Sequence, residues 1–437
     1  MNRSFLSKIP WAKIMPFLII LAPFFFFVIG LRSPGIASDA YGYDQYAQHL
    51  VSGHGYTMGG VPFDPLREPG YPFFVAIIYV LFGIGNYQSV YVIQTLLLGF
   101  LGLLVYWIFV RHGQRNLGYI AGFTTGLLPA YGLYSHTLGT ELLFAFLVGA
   151  AFYLMQRILG DLDDVPYTRY ALLGLVCGAA CLVRLQFIFF LPLAVLWYVI
   201  AYRRKVKQTV KKSALTCLVF VAVIGVWVGF VHAHTGRYAI TYGRQGLSMF
   251  VRADRAQLSY RDLSKYAVLW FERSLSGGQF GDFLYNHEYQ KLNHDYGTLA
   301  STSAAMAVID KQSLATIEAN PGHFLYGNLI EMIKTVYIEH DYSDIISRNV
   351  RIGMYAIVYG LCLFGLVMLW RTRKDVAYHS MHRLVLLSLA FIAYNVLVLS
   401  FFDSIPRYNT PFLTFYLIIG FAGIAIYVKN KRRKISK

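Results

Sequence analysis

Ten apolar stretches, at 14–31, 88–110, 117–134, 141–156, 170–184, 187–202, 213–232, 352–370, 384–402 and 409–428, dictate what this chain can become. Each is long enough, or nearly so, to cross roughly 30 Å of hydrocarbon as a helix. Only 14% of the residues are charged, whereas a soluble domain covers its surface with roughly 25%. The expected fold is therefore an all-α polytopic membrane protein. An eleventh apolar piece, Tyr71 to Gly83, is only about 13 residues long and follows Pro72, which suits an interfacial or re-entrant helix better than a span. The first stretch follows Arg3, Lys8 and Lys13, the flanks of a signal peptide or of a first anchor. Its length and the spans after it favour an anchor over cleavage at the weak site Gly35-Ile36-Ala37.

Charge decides the threading. If Tyr71 to Gly83 does not cross, the segments on one side (1–13, 111–116, 157–169, 203–212, 371–383 and 429–437) hold 23 Lys and Arg against four Asp. All other residues together hold 16 basic and 18 acidic groups, so the formal charge of +17 resides on one face. Short loops rich in Lys and Arg stay cytoplasmic. Both termini are expected there, with the chain multi-pass in the inner (plasma) membrane. The basic balance is thus topological, and nucleic acid is not expected as a partner. The blocks at 203–212 and 429–437 would instead meet anionic membrane lipids.

Three parts follow: an N-terminal membrane module, 1–232, with a first outer loop at 32–87; an extracytoplasmic or interfacial region, 233–351; and C-terminal membrane helices with a basic tail, 352–437. The middle region has a turn at Gly277-Gly278 and an amphipathic stretch, Leu325 to Tyr337, suited to a membrane surface. No internal repeat or inverted pair of broken spans is evident, which speaks against a secondary transporter. The four cysteines, Cys177, Cys181, Cys217 and Cys362, lie in apolar runs and lack zinc-site spacing. They read as packing residues, and with Gly174 and Gly178 the first two form a small-residue face.

The first outer loop opens with Ser38-Asp39-Ala40-Tyr41-Gly42-Tyr43-Asp44-Gln45-Tyr46-Ala47, where a helix would place Asp39, Tyr43, Tyr46 and Ala47 along one face. A carboxylate at this depth, among aromatic neighbours, could accept a proton from an acceptor hydroxyl. Asp39 and Asp44 would equally serve as the acids favoured near a helix N-terminus. Next, the proline-stiffened turn Asp64-Pro65-Leu66-Arg67-Glu68-Pro69-Gly70 presents one arginine. Its guanidinium could clamp a phosphate, or pair with Glu68 or Asp64. Glu141, Arg184 and Arg407 stand near the outer ends of later spans. Ionisable groups at such depths usually face a cavity or one another, although snorkelling explains a single arginine as well. Four distant segments meeting on one face suggest an anionic ligand.

Other constellations are weaker. Asp161-Leu162-Asp163-Asp164 looks like a metal-binding acidic motif but falls on the opposite face. His287-Glu288 with His294-Asp295, and Glu339-His340-Asp341 with Asp344, lack recognisable metal-site spacing and read as solvated loop charge. No metal site, glycine-rich phosphate loop or redox cofactor is expected.

The order of these segments resembles the membrane-embedded glycosyltransferases of the GT-C fold that use polyprenyl-phosphate-linked sugars. The nearest branch contains protein O-mannosyltransferases and lipid A aminoarabinose transferases. Asp39, Tyr43 and Ala47 match the family's first-loop motif in register, while Ala40 replaces its common second acid. Arg67 to Pro72, the pairing of Pro129 with Thr140-Glu141, the glycine-containing span ending at Arg184, and Arg407-Tyr408 before the last span also correspond. The likeness is good over residues 1 to about 200 and moderate over the last 40.

That resemblance implies a GT-C-like fold with about ten transmembrane helices and interfacial helices in the first loop. It also implies an inverting transfer from a polyprenyl-phosphate-linked sugar to a glycan, lipid or protein acceptor, with no nucleotide or covalent intermediate. Asp39 would be the base, Asp44 or Glu141 the possible secondary acids, Arg67, Arg184 and Arg407 the donor-phosphate ligands, and Tyr43, Tyr46 and Tyr408 the substrate-lining rings. A transporter or flippase of lipid-linked glycans needs the same clamp without a base, and an inactive structural subunit could keep the fold alone.

Overall fold

The computed structural model describes residues 11–29, 38–58, 63, 65–159, 165–201, 206–241, 244–276, 303–336, 345–401 and 406–435. Asp161 to Asp164, Gly277-Gly278, His287 to Asp295, Glu339 to Asp344, Asp64, Gly35 to Ala37 and Arg203 to Lys205 lie outside them. Among the described residues every regular element is helical. Six helices are long and apolar enough to cross a membrane: Tyr87–Arg111, Thr140–Leu159, Thr209–Thr235, Ile352–Thr372, Val376–Phe401 and Arg407–Ile435. Shorter apolar helices at Ala12–Val28, Tyr167–Val183 and Leu185–Leu196 fall on three further expected spans.

The remaining stretch, 117–134, is two helices, Arg115–Gly126 and Pro129–Ser135. The break has a local cause: a residue preceding proline is pushed from helical to extended backbone, and Leu128 sits at φ −69°, ψ 119° before Pro129.

In chain order the helices are α1 (Trp11–Leu21), α2 (Ser38–Val51), α3 (Gly70–Phe82), α4 (Tyr87–Arg111), α5 (Arg115–Gly126), α6 (Pro129–Ser135), α7 (Thr140–Leu159), α8 (Tyr167–Val183) and α9 (Phe190–Ala201). They continue as α10 (Val206–Thr235), α11 (Arg244–Ala256), α12 (Tyr260–Ser276), α13 (Ser303–Ala319), α14 (Pro321–Val336), α15 (Ile345–Thr372), α16 (His379–Phe401) and α17 (Leu413–Ile435). The last is the axis of the bundle, packed on α15, α16 and α5, with 83% of its apolar window buried. Helices α10 and α15 lie at the rim and leave Leu218, Val221, Val226, Ile357 and Leu363 exposed, as lipid-facing surfaces require.

Close approach between spans depends on small residues. A Cβ at Gly178 would fall 2.8 Å from Val223 Cβ, and one at Gly174 would collide with the Thr216 carbonyl. The expected small-residue face of α8 therefore receives α10, with Cys177 and Cys181 buried beside it.

Two helices lie differently from the spans. With 13 residues at 1.5 Å each, α3 measures about 20 Å, too short to cross, and leaves Ile77, Val80 and Leu81 exposed. It stops at Gly83, whose φ of +100° strongly favours glycine. Helix α14 buries Asn328, Glu331, Lys334 and Thr335 while exposing Leu325, Leu329 and Ile333. Such a helix has its polar face against protein and its apolar face available to a membrane surface.

Candidate functional site

Asp39 stands in the first turn of α2, which docks on α3. Its two carboxylate oxygens are held by two different arginines. Arg67 Nη2 donates to Oδ1 at 2.8 Å, and Arg407 Nη2 donates to Oδ2. The carboxylate is 20% exposed, and the guanidiniums are 12% and 24% exposed. The sequence suggested mainly aromatic neighbours for Asp39; the structure sets it between two cations. Of its expected surface acids, Glu68 accepts from the Leu185 amide at 3.5 Å, and Asp64 lies outside the described residues.

Arg67 is kept in place by its surroundings. Its guanidinium lies over the Tyr43 ring, 5.1 Å from the centroid, and the Tyr56 hydroxyl donates to its carbonyl at 2.9 Å. The turn itself is pressed against the end of α8, because a Cβ on Gly70 would lie 2.8 Å from the Leu182 backbone.

Arg184 begins where α8 ends, in extended backbone at φ −146°, ψ 117°. It donates from Nε to Thr140 Oγ1 at 2.7 Å and from Nη2 to Glu141 Oε1 at 2.5 Å, and both charged side chains are buried. The Tyr408 ring lies between two cations, 4.8 Å from the Arg184 guanidinium carbon and 5.4 Å from that of Arg407. One connected group thus runs from Asp39 and Arg67 through Arg407 and Tyr408 to Arg184 and Glu141.

Buried guanidinium donors normally find acceptors, and leaving one unmade is costly. Here Arg67 Nη1, Arg184 Nη1 and Arg407 Nε are all buried without a hydrogen-bond partner among the described residues. Three arginines from distant segments, each with a spare donor, make a cradle for an anionic oxygen-rich group.

The frame around this cradle is polar as well. Gln94, buried in α4, donates to the Thr137 carbonyl at 2.9 Å and the Ser135 carbonyl at 3.2 Å. It accepts from the Tyr71 hydroxyl at 2.8 Å, which in turn accepts from the Gly139 amide at 2.9 Å. This lock ties α3 to the turn that precedes Thr140 and Glu141. On the other side, the Thr414 amide donates to the Tyr131 hydroxyl at 3.2 Å, anchoring the 3₁₀ segment Pro406–Phe412 that carries Arg407. Sequence reasoning missed Gln94, although a glutamine inside an apolar run was a visible signal.

Two expected site residues have structural partners. Tyr46 is fully buried and stacked on Tyr56 at 4.3 Å, so in this structure it packs the loop. Shared helical face was the basis for grouping it with Tyr43, and Tyr56, from the irregular segment after α2, covers Tyr46 on that face. Asp44 is no free second acid either: it accepts from the hydroxyls of Tyr79 at 2.6 Å and Tyr87 at 2.8 Å and from Gln48 at 2.8 Å. Those bonds fasten α2 to α3 and to the start of α4. Ala40, at the position of the missing acid, is buried. Among the described residues no group of three or more His, Cys, Asp or Glu side chains could hold a metal ion.

Comparison with known proteins agrees with the resemblance drawn from the motifs. Residues 64–228 match the family described as dolichyl-phosphate-mannose-protein mannosyltransferase. The matched segment runs from the Arg67 turn into α10. Two similar crystal structures are those of ArnT from Cupriavidus metallidurans. The one bound to undecaprenyl phosphate has 13% identity and a TM-score of 0.39, and the apo state has 14% and 0.42. Each comparison covers 95% of this chain and 77% of the other, and at these scores the likeness is loose. No curated protein matches the chain.

Proposed function

We propose, from the premise that residues 64–228 match a family of lipid-phosphate-sugar-dependent transferases, that this chain is an inverting membrane glycosyltransferase. It moves a sugar from a polyprenyl-phosphate carrier to a hydroxyl or phosphate of a glycan, lipid or protein acceptor on the extracytoplasmic face. The observation that carries this reading is the set of three buried, unpartnered guanidinium donors: those of Arg67 and Arg407, which hold Asp39, and that of Arg184, which holds Glu141 and shares the Tyr408 ring with Arg407.

The chemistry follows from that set. For a hydroxyl acceptor, the acceptor oxygen attacks the anomeric carbon, the bond from that carbon to the phosphate oxygen breaks, and the acceptor proton passes to Asp39. Each carboxylate oxygen has two lone pairs, so one guanidinium bond per oxygen leaves capacity for the proton. Negative charge grows on the departing phosphate, and donors already fixed around it lower the barrier without reorganising. Arg67, Arg184 and Arg407 supply those donors. The lipid tail, bound along the spans, contributes binding energy remote from the bond being broken.

The test uses protein in lipid nanodiscs with a panel of polyprenyl-phosphate-linked sugars and acceptors. Wild-type protein should bind polyprenyl phosphate and release the sugar with inversion, while Asp39→Asn should bind and not transfer. Absence of polyprenyl phosphate binding by the wild type would overturn the reading. Translocation of the lipid-linked sugar without transfer would mark a carrier instead.

A further inference from the structure

We propose that Asn395 is a positioning residue that sets the separation of Arg184 and Arg407, and with it the register of the phosphate cradle. The inference rests on the transferase reading above and concerns a residue of α16, far along the chain from Asp39 in α2.

Neither arginine lies within an α-helix. Arg184 is extended at the end of α8, and Arg407 lies in the 3₁₀ segment Pro406–Phe412. Such backbone has no continuous ladder of i to i−4 hydrogen bonds to fix it. Arg184 keeps one bond of that kind, from its amide to the Ala180 carbonyl at 2.9 Å, and the rest of its placement, like that of Arg407, comes from side chains elsewhere in the bundle.

Two residues beyond each arginine stands an amide, Gln186 and Asn409, and Asn395 of α16 lies between them. Gln186 Nε2 donates to Asn395 Oδ1 at 3.2 Å, and Asn395 Nδ2 donates to Asn409 Oδ1 at 3.3 Å. The neighbouring residue of α16 holds the same glutamine by its backbone, since the Tyr394 hydroxyl donates to the Gln186 carbonyl at 2.5 Å. Asn395 and Asn409 are each 1% exposed. The relay continues from Asn409 Nδ2 to the Tyr359 hydroxyl at 3.5 Å, and that hydroxyl donates to the Val336 carbonyl at 2.5 Å, the last residue of α14.

Packing alone does not call for this arrangement. Leucine has the same branched heavy-atom skeleton as asparagine and fills a bundle core without needing partners, whereas a buried amide must have every bond made. A relay of amides does what leucines cannot: it admits one register between the two segments it joins. Those segments carry the two arginines whose guanidiniums enclose Tyr408. A shift of about 1 Å in one of them would misalign the donors relative to a phosphate, and errors of that size cost about 10² in rate.

The experiment replaces the whole relay at once, Gln186→Met with Asn395→Leu and Asn409→Leu, because exchanging all partners for apolar groups of similar shape avoids leaving any amide unpaired. In nanodiscs the triple variant should melt close to wild type, bind polyprenyl phosphate about tenfold more weakly, and show a lower kcat as well as a higher KM for the donor. Should the triple variant not fold, Asn395→Ser is read in the same way, since its hydroxyl is too short to reach both neighbours. Wild-type affinity and kcat in a folded variant would overturn the inference and leave the transferase reading intact. Failure of the wild type itself to bind polyprenyl phosphate would overturn both.

Discussion

Arg184 and Glu141 form a 2.5 Å ion pair in which both side chains are less than one-tenth exposed, joining the end of one span to the start of its neighbour. Removing one member of such a pair strands the other's charge, at a cost of about 3 to 5 kcal/mol. Glu141→Gln should therefore lower the melting temperature sharply, and Arg184→Met combined with it should recover part of the loss. Thermal unfolding of the three variants measures this. Equal melting of Glu141→Gln and wild type would show that the pair carries no such load.

Asp39 and Asp44 should separate by phenotype. Asp39→Asn keeps the shape but cannot take the acceptor proton, so turnover per folded molecule should drop by roughly 10² to 10⁴, alongside some loss of stability as Arg67 and Arg407 lose their charged partner. Asp44→Asn disturbs a carboxylate that accepts three hydrogen bonds, at a cost of about 1 to 3 kcal/mol for each bond left unmade. Its turnover per folded molecule should stay near wild type while its melting temperature falls.

Arg67→Ala should weaken polyprenyl phosphate binding by more than about tenfold, from the loss of a charge-assisted contact. Arg67→Lys should recover only part, because an ammonium cannot reach Asp39 and a phosphate in one fixed plane. Isothermal titration or native mass spectrometry reads both. Unchanged affinity in the two variants would reduce Arg67 to a structural partner of Asp39.

A second buried carboxylate predicts the response to acid. Burial pushes the Glu331 carboxyl up, but Lys334, Arg252 and Arg255 beside it outweigh that and hold it at about 2, below its ordinary 4.5. A carboxylate whose folded value is depressed stabilises the protein above its unfolded value, and the contribution disappears as pH falls towards the folded one. Stability should thus decline between about pH 4.5 and 2. Glu331→Gln should be less stable than wild type at pH 7, with the difference narrowing across that window.

Sidedness is open to chemical labelling. A cysteine at Ser52 or Arg261, both exposed, should react with an impermeant thiol reagent from outside the cell, and one at Lys374 only after permeabilisation. Reversed labelling would invert the threading argued from the basic segments.

Much of the bundle was legible in the sequence because a span must be long, apolar and flanked by charge, and each requirement leaves a local trace. The gathering of Asp39, Arg67, Glu141, Arg184 and Arg407 at one end was legible for a related reason, since each lay near the same end of its own segment. The partners were not. Asp39 and Arg67 are 28 positions apart, and no local pattern distinguishes that pair from Arg67 with Glu68. The stacking of Tyr46 on Tyr56 was not legible, because helical phase assigns a face without saying what covers it. Asn395 passed unnoticed because the relay joins residues 209 and 14 positions distant, visible only when three helix ends meet.

The short α3 gives the protein a further property. Its exposed Ile77, Val80 and Leu81 would rest at headgroup level, while its first residue, Gly70, bears directly on Leu182, two positions before Arg184. Anything that raises or lowers the bilayer surface therefore pushes on one wall of the cradle. A mismatch between protein and bilayer thickness is worth fractions of a kcal/mol per Å, enough to tilt a small helix without unfolding the bundle. On the proposed function, transfer rates measured across phosphatidylcholines of increasing acyl length should accordingly pass through an optimum while the melting temperature changes little, making the protein a gauge of the membrane that holds it.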